Sequence, residues 1–111
     1  MAKTFIDIMT ITRRAAGAVS AHRLVDFAGN QAGADAQVLG VAMTDAEAGD
    51  DFSVLTIGRI TLPAGAAIAV GDALVSDANG QPVPQGAATN VFGHALTAAA
   101  NPGDPVEVLI K

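Results

Sequence analysis

With 111 residues, the chain has room for one domain and not for a second, because a chain this short needs most of its apolar residues for a single core. Half of the residues are hydrophobic, but 24 are alanine, only 4% are aromatic, and Trp and Tyr are absent, so the core is expected to be thin. A net charge of −5 with 6 scattered basic residues argues against nucleic acid, and the absence of cysteine excludes disulfides, thiolate nucleophiles, zinc knuckles and iron–sulfur ligation.

The chain begins Met1-Ala2-Lys3-Thr4-Phe5-Ile6-Asp7, with an acid where a signal peptide would carry its apolar stretch, which predicts an untargeted protein made in the cytoplasm. Phe5 to Thr12 reads as a strand with apolar residues on both faces, Ile6 and Ile8 on one, Met9 and Ile11 on the other. It is followed by the only adjacent basic pair, Arg13-Arg14. Residues 1–14 are therefore expected to form an N-terminal arm or edge strand ahead of a single β domain, 15–111. Helical periodicity never lasts beyond about two turns. Short apolar stretches bounded by Gly, Pro, Asn and Asp instead predict strands at Arg23 to Phe27, Val38 to Met43, Phe52 to Leu62, Ala73 to Ser76, Val91 to Leu96 and Val106 to Ile110. Within Phe52 to Leu62 the apolar phase switches from Phe52 and Val54 to Leu55 and Ile57, which predicts a bulge or bend near Gly58. The apolar window Leu62 to Val70 is too short to span a membrane. Asn79-Gly80 is a hairpin signal that should pair Ala73–Ser76 with Gln81–Val83, and Val106, Val108 and Ile110 alternate as in a half-buried strand.

The chain also resembles itself. Gly40-Val41-Ala42-Met43-Thr44-Asp45-Ala46-Glu47-Ala48-Gly49-Asp50 returns, with one insertion, as Gly93-His94-Ala95-Leu96-Thr97-Ala98-Ala99-Ala100-Asn101-Pro102-Gly103-Asp104. Phe52-Ser53-Val54-Leu55 matches Val106-Glu107-Val108-Leu109, and Leu24-Val25 with Gln31 match Leu74-Val75 with Gln81. Each unit reads as strand, turn, strand, short capped turn, strand, with Thr44 and Glu47 in capping-box spacing and Gly49 just past a one-turn helix. The fold expected is all-β: a small β-barrel or β-sandwich of short strands in two related halves of about 50 residues, with an extended N-terminal segment.

No catalytic, cofactor or metal constellation stands out. His22 and His94 read as structural or surface residues. The acidic run Asp45, Glu47, Asp50, Asp51 lacks the alternating oxygen spacing of a calcium loop and reads as a solvated turn. Ser20, His22 and Asp26 make a triad only on paper, since no nucleophile elbow is present. The glycines form neither a dinucleotide nor a Walker loop, so no cofactor is expected. Phe5, Phe27, Phe52 and Phe92 are the only aromatics and provide no stacking platform for sugars or bases. Arg13 and Arg14, with Lys3, suit contact with an acidic partner surface.

The order of Leu39-Gly40-Val41-Ala42-Met43-Thr44-Asp45-Ala46-Glu47-Ala48-Gly49-Asp50, Val54, Gly58-Arg59-Ile60-Thr61-Leu62-Pro63 and Ile68-Ala69-Val70-Gly71-Asp72-Ala73-Leu74-Val75 resembles the capsid cement, or head decoration, proteins of tailed bacteriophages. The start Met1-Ala2-Lys3-Thr4-Phe5 and the ending Gly93-His94-Ala95-Leu96 through Gly103-Asp104-Pro105-Val106-Glu107-Val108 extend the resemblance over nearly the whole chain. It implies a small β-rich virion protein and no enzyme. Such a protein adds as a homotrimer to the outside of an expanded capsid, at three-fold and quasi-three-fold positions, and bridges neighbouring major capsid proteins. Its partners would be the major capsid protein and itself, with no nucleic acid and no membrane. Contact to the capsid or between subunits is expected from the N-terminal segment, through Lys3, Phe5, Ile6, Ile8, Ile11, Arg13 and Arg14, pairing with a neighbour's sheet edge. Deleting residues 2–14 should then abolish attachment and leave a folded remainder. A surface module binding glycan or peptide, and a small hydrolase using His22 or His94, are the competing readings.

Overall fold

Among the described residues the turns separate eight strands, all paired antiparallel: β1 (Phe5–Arg14), β2 (Leu24–Asp26), β3 (Val38–Ala42), β4 (Asp51–Pro63), β5 (Ala73–Ser76), β6 (Pro82–Pro84), β7 (Gly93–Ala95) and β8 (Pro105–Ile110). A computed structural model describes residues 5–110, with side chains from Met9 onward, and contains no helix among them. The long strand β4 organises the sheet. β1 runs along it from Phe5 opposite Ile60 to Arg14 opposite Asp51, β3 pairs with its first half, and β8 pairs with its second half, from Gly58 opposite Ile110 to Pro63 opposite Pro105. The main path runs β2-β3-β4-β8-β7-β5-β6. Its ends approach each other, since Leu24 N–H donates to the Gly80 carbonyl at 2.8 Å and Asp35 N–H to the Ser76 carbonyl at 2.9 Å, so the sheet nearly closes into a barrel.

The bend anticipated in β4 is a pair of bulges. Asp7 faces Gly58, Met9 faces Ile57 and Thr10 faces Leu55, which leaves Ile8 on one strand and Thr56 on the other as extra residues. An extra residue reverses the in–out alternation of a strand. Phe52 and Val54 thus face a smaller apolar cluster, while Leu55 and, beyond the bulge, Ile60 and Leu62 face a larger one. The buried Thr56 hydroxyl donates to the Met9 carbonyl at 3.0 Å, which satisfies both polar groups.

The two clusters are lined by corresponding segments. Val19 and Ala46 exchange both backbone hydrogen bonds at 2.8 and 2.9 Å, as do Ile68 and Ala99 at 2.9 Å. His22 N–H reaches the Ala42 carbonyl as Gly71 N–H reaches that of Ala95, and Ala15 N–H reaches Asp50 as Ala64 N–H reaches Asp104. By these bonds Ala15, Val19, Val25, Ala42, Ala46, Phe52 and Val54 of the smaller cluster stand where Ala64, Ile68, Leu74, Ala95, Ala99, Val106 and Val108 stand in the larger one. Val25 faces Gly40 and Leu74 faces Gly93, so the strand pairing sets Val25 against Leu74, one residue away from the alignment expected from sequence.

Two local expectations change. The Thr44–Glu47 spacing makes no helical turn, because Ala46 is held in a bridge to Val19. The turn is closed by Asp50, whose carboxylate accepts from Glu47 N–H at 3.1 Å, with Gly49 in the left-handed region at φ 91°. The Asn79-Gly80 hairpin forms, but with β5 paired to Pro82–Pro84 and only Gly80 at positive φ. Asp77 closes it by accepting from Asn79 N–H at 2.8 Å and Gln81 N–H at 2.9 Å, an arrangement that favours a longer loop over a two-residue one. Asp26 does the same for Ala28 and Asn30, both at 3.0 Å.

Candidate functional site

Most of the acidic residues that invited chemical readings serve the backbone. Asp26, Asp50, Asp72, Asp77 and Asp104 each accept from amides of their own turns, and Asp45 accepts from Ala21 N–H at 2.7 Å. No hydrogen bond joins Ser20, His22 and Asp26 among the described residues. His22 occupies a left-handed turn position at φ 64°, matching Gly71 at φ 87°, a conformation in which His is among the more tolerated side chains. His94 lies exposed on the outer face of β7. No group of three or more His, Cys, Asp or Glu side chains that could hold a metal occurs among the described residues.

Two exposed large apolar residues, Met9 and Phe27, lie on β1 or against its end. This ten-residue strand pairs with β4 alone among the described strands. A long strand with one partner presents an edge that another chain can extend. Lys3 lies outside the described residues. Phe5 and Ile6 pair with Ile60 and Arg59 through the backbone, and Ile8 is the extra residue of the bulge. Ile11 is half-buried and packs against the smaller cluster. Met9 is 46% exposed. The Arg14 guanidinium stands 3.7 Å from the Asp51 carboxylate, both side chains well exposed, a pairing that contributes little to stability.

Arg13 ties this strand to a corner that sequence reasoning missed. Its guanidinium donates to the Phe27 carbonyl at 2.7 Å. The Asp26–Asn30 turn sits against the end of β1, where Ala16 N–H reaches the Gly29 carbonyl at 3.0 Å, and Gly29 is required because a Cβ there would lie 2.5 Å from the Arg14 carbonyl oxygen. Phe27, second in that turn, points outward and is 59% exposed. With Val91, Val38, Gln37 and Asn90 it lines an open hollow of about 250 Å³. One wall is fixed by Asp35, whose carboxylate accepts from Asn90 N–H at 2.9 Å and from Thr89 N–H at 3.2 Å, while the Asn90 side chain donates back to the Asp35 carbonyl at 2.8 Å. The sequence reading ended a strand at Phe27, whereas the strand ends at Asp26 and Phe27 falls in the Asp26-Phe27-Ala28-Gly29 turn, facing solvent. Nothing in the sequence tied Val91 to it.

The described surface thus combines an all-β scaffold, a long strand paired on one side, a basic pair and an exposed apolar corner beside it. The chain matches the phage cement protein family over residues 4–111 and belongs to that family, whose role is structural and capsid-associated. Its structure is similar to the crystal structure of the head fiber gp8.5 N base of bacteriophage phi29, with a TM-score of 0.71 and 28% identity over 93% of each chain. No curated protein matches it by sequence.

Proposed function

We propose that the protein attaches to the outer surface of an expanded phage capsid as a trimer at three-fold and quasi-three-fold positions and stabilises the shell by bridging major capsid proteins. Membership of the phage cement family over residues 4–111 carries this reading, and the similarity to a phi29 head fiber base agrees with it. The protein is made in the host cytoplasm and acts on the virion, without catalysis. Contact runs along the N-terminal strand, through Lys3, Phe5, Ile6, Ile8, Arg13 and Arg14. Ile11 holds the strand to the core, and Phe27 and Val91 form an apolar anchor at one end. Backbone pairing along the β1 edge supplies directional contacts, the apolar corner supplies buried area, and three copies engaging several shell subunits together make weak individual contacts cumulative.

The test is co-sedimentation of the purified protein with expanded capsids of its phage that lack it, counting bound copies at saturation. Saturation at a multiple of three per three-fold position, with shells that resist heating better, is expected. Replacing Phe27 by Asp or Arg13-Arg14 by Glu should lower occupancy while leaving the circular dichroism spectrum unchanged. Failure of the wild-type protein to bind expanded shells overturns the reading.

A further inference from the structure

A second cleft, of about 260 Å³, lies where the two ends of the sheet approach and is lined by Ser20, Arg23, Gln31, Asn79 and Gln81. Gln31 bridges it, accepting from Ser20 N–H at 3.1 Å and donating to the Asn79 carbonyl at 3.0 Å. Arg23 is half-exposed, and the only hydrogen bond of its guanidinium among the described residues is a long one, from Nη1 to the same Asn79 carbonyl at 3.4 Å. No carboxylate pairs with it, since the ion pairs among the described residues are Arg14–Asp51 and Arg59–Glu107. The Asn79 and Gln81 side-chain amides and the Ser20 hydroxyl also have no partner among the described residues. The cleft therefore presents a guanidinium, two amides and a hydroxyl, all able to donate.

The molecule contains its own control. Ser20 and Arg23 stand where the corresponding turn carries Ala69 and Asp72, as the matched bonds of His22 and Gly71 establish. There the Asp72 carboxylate accepts from Ala69 N–H at 2.9 Å and so closes the turn. In the first turn Gln31 takes that task, which frees the side chain at position 23 from closing the turn and leaves a cation there. We propose that this cleft binds a carboxylate, presented as an aspartate or glutamate side chain by a partner protein. A guanidinium matches a carboxylate in shape and by two parallel hydrogen bonds. One cation flanked by neutral donors, on a chain of net charge −5, suits a singly charged group better than a phosphate. The lining has no aromatic ring on which a sugar would stack. The partner's identity as a shell protein rests on the capsid reading; the carboxylate site does not.

The experiment is a ¹H–¹⁵N NMR titration of the full chain with N-acetylglutamate α-amide, its neutral glutamine analogue and glucuronate, each to about 50 mM, since one fork in an open cleft gives millimolar affinity. Saturable shifts at the Arg23 Nε–H and the Asn79 and Gln81 side-chain amides with the glutamate probe, and none with the neutral analogue, are expected. Arg23→Gln should weaken the response at least tenfold, and Arg23→Lys, which keeps the charge and loses the fork, should also weaken it. A response shared equally by Arg13, Arg14 and Arg59, or one unchanged in Arg23→Gln, overturns the site. Glucuronate binding tenfold tighter than the glutamate probe overturns the protein side chain as ligand. Full shell occupancy by Arg23→Gln overturns a role in attachment. If the wild type itself fails to attach, the capsid reading fails and takes the shell partner with it, while the titration still decides the site.

Discussion

Gly40→Ala tests how closely β3 is laid against β4. An added Cβ would stand 2.2 Å from the Leu55 carbonyl oxygen and 2.9 Å from the Val54 Cγ1. Real contacts of this kind do not fall below about 3.0 Å, so the strands must separate by roughly 0.8 Å or more against backbone, which cannot rotate away as a side chain can. The φ of Gly40 is not positive, so the requirement is space and not conformational freedom. Overpacking of this severity costs about 3 kcal/mol, and a domain of this size loses roughly 4 °C in Tm per kcal/mol, a fall of about 12 °C. Gly93→Ala meets the Leu109 carbonyl oxygen at the same 2.2 Å and should cost about as much. Gly33→Ala meets nothing within 4 Å and is the control, expected to stay within about 0.5 kcal/mol of the wild type. Thermal melts followed by circular dichroism decide the matter: a loss under about 4 °C for Gly40→Ala, or one no larger than for Gly33→Ala, would refute the packing argument.

Asp26→Ala and Asp77→Ala each remove an acceptor for two backbone amides and should each lower stability by about 1–2 kcal/mol in urea titrations; an unchanged midpoint would show that water replaces the carboxylate without cost. Val54→Ala and Val108→Ala remove fully buried side chains from different clusters. Each should cost about 2 kcal/mol, and the double variant should be additive within roughly 0.5 kcal/mol, whereas strong coupling would mean that the two clusters behave as one. Deleting residues 2–14 removes β1, which pairs with one side of β4 from Asp51 to Ile60, and takes Ile11 from the smaller cluster. The structure thus predicts loss of dispersed amide resonances, where the sequence alone suggested a folded remainder. A well-dispersed spectrum for the deletion variant would return β1 to the status of an arm.

The sequence determined the class of fold and most strand positions because those depend on neighbours along the chain: alternation in Val106 to Ile110, Gly and Asn where the chain turns, and the phase switch that marked the bulge in β4. The family resemblance was equally legible, since it lies in the order of short motifs. Tertiary structure decided what depends on residues far apart. The Thr44–Glu47 spacing suits a capped helical turn, yet the bridge from Ala46 to Val19 pulled that segment into the sheet. Ile11 and Met9 read alike in sequence, but only Ile11 packs against a cluster; the register shift that leaves Thr56 extra on β4 falls between Met9 and Thr10, and so separates the two residues. The corner at Phe27 exists only because Val91 and Val38 arrive beside it from other segments, and the cleft at Arg23 only because Asn79, 56 residues away, closes the same seam. Local propensity fixes where a strand can be, whereas the burial of each side chain and the company of each charge depend on which strands the closing sheet brings together.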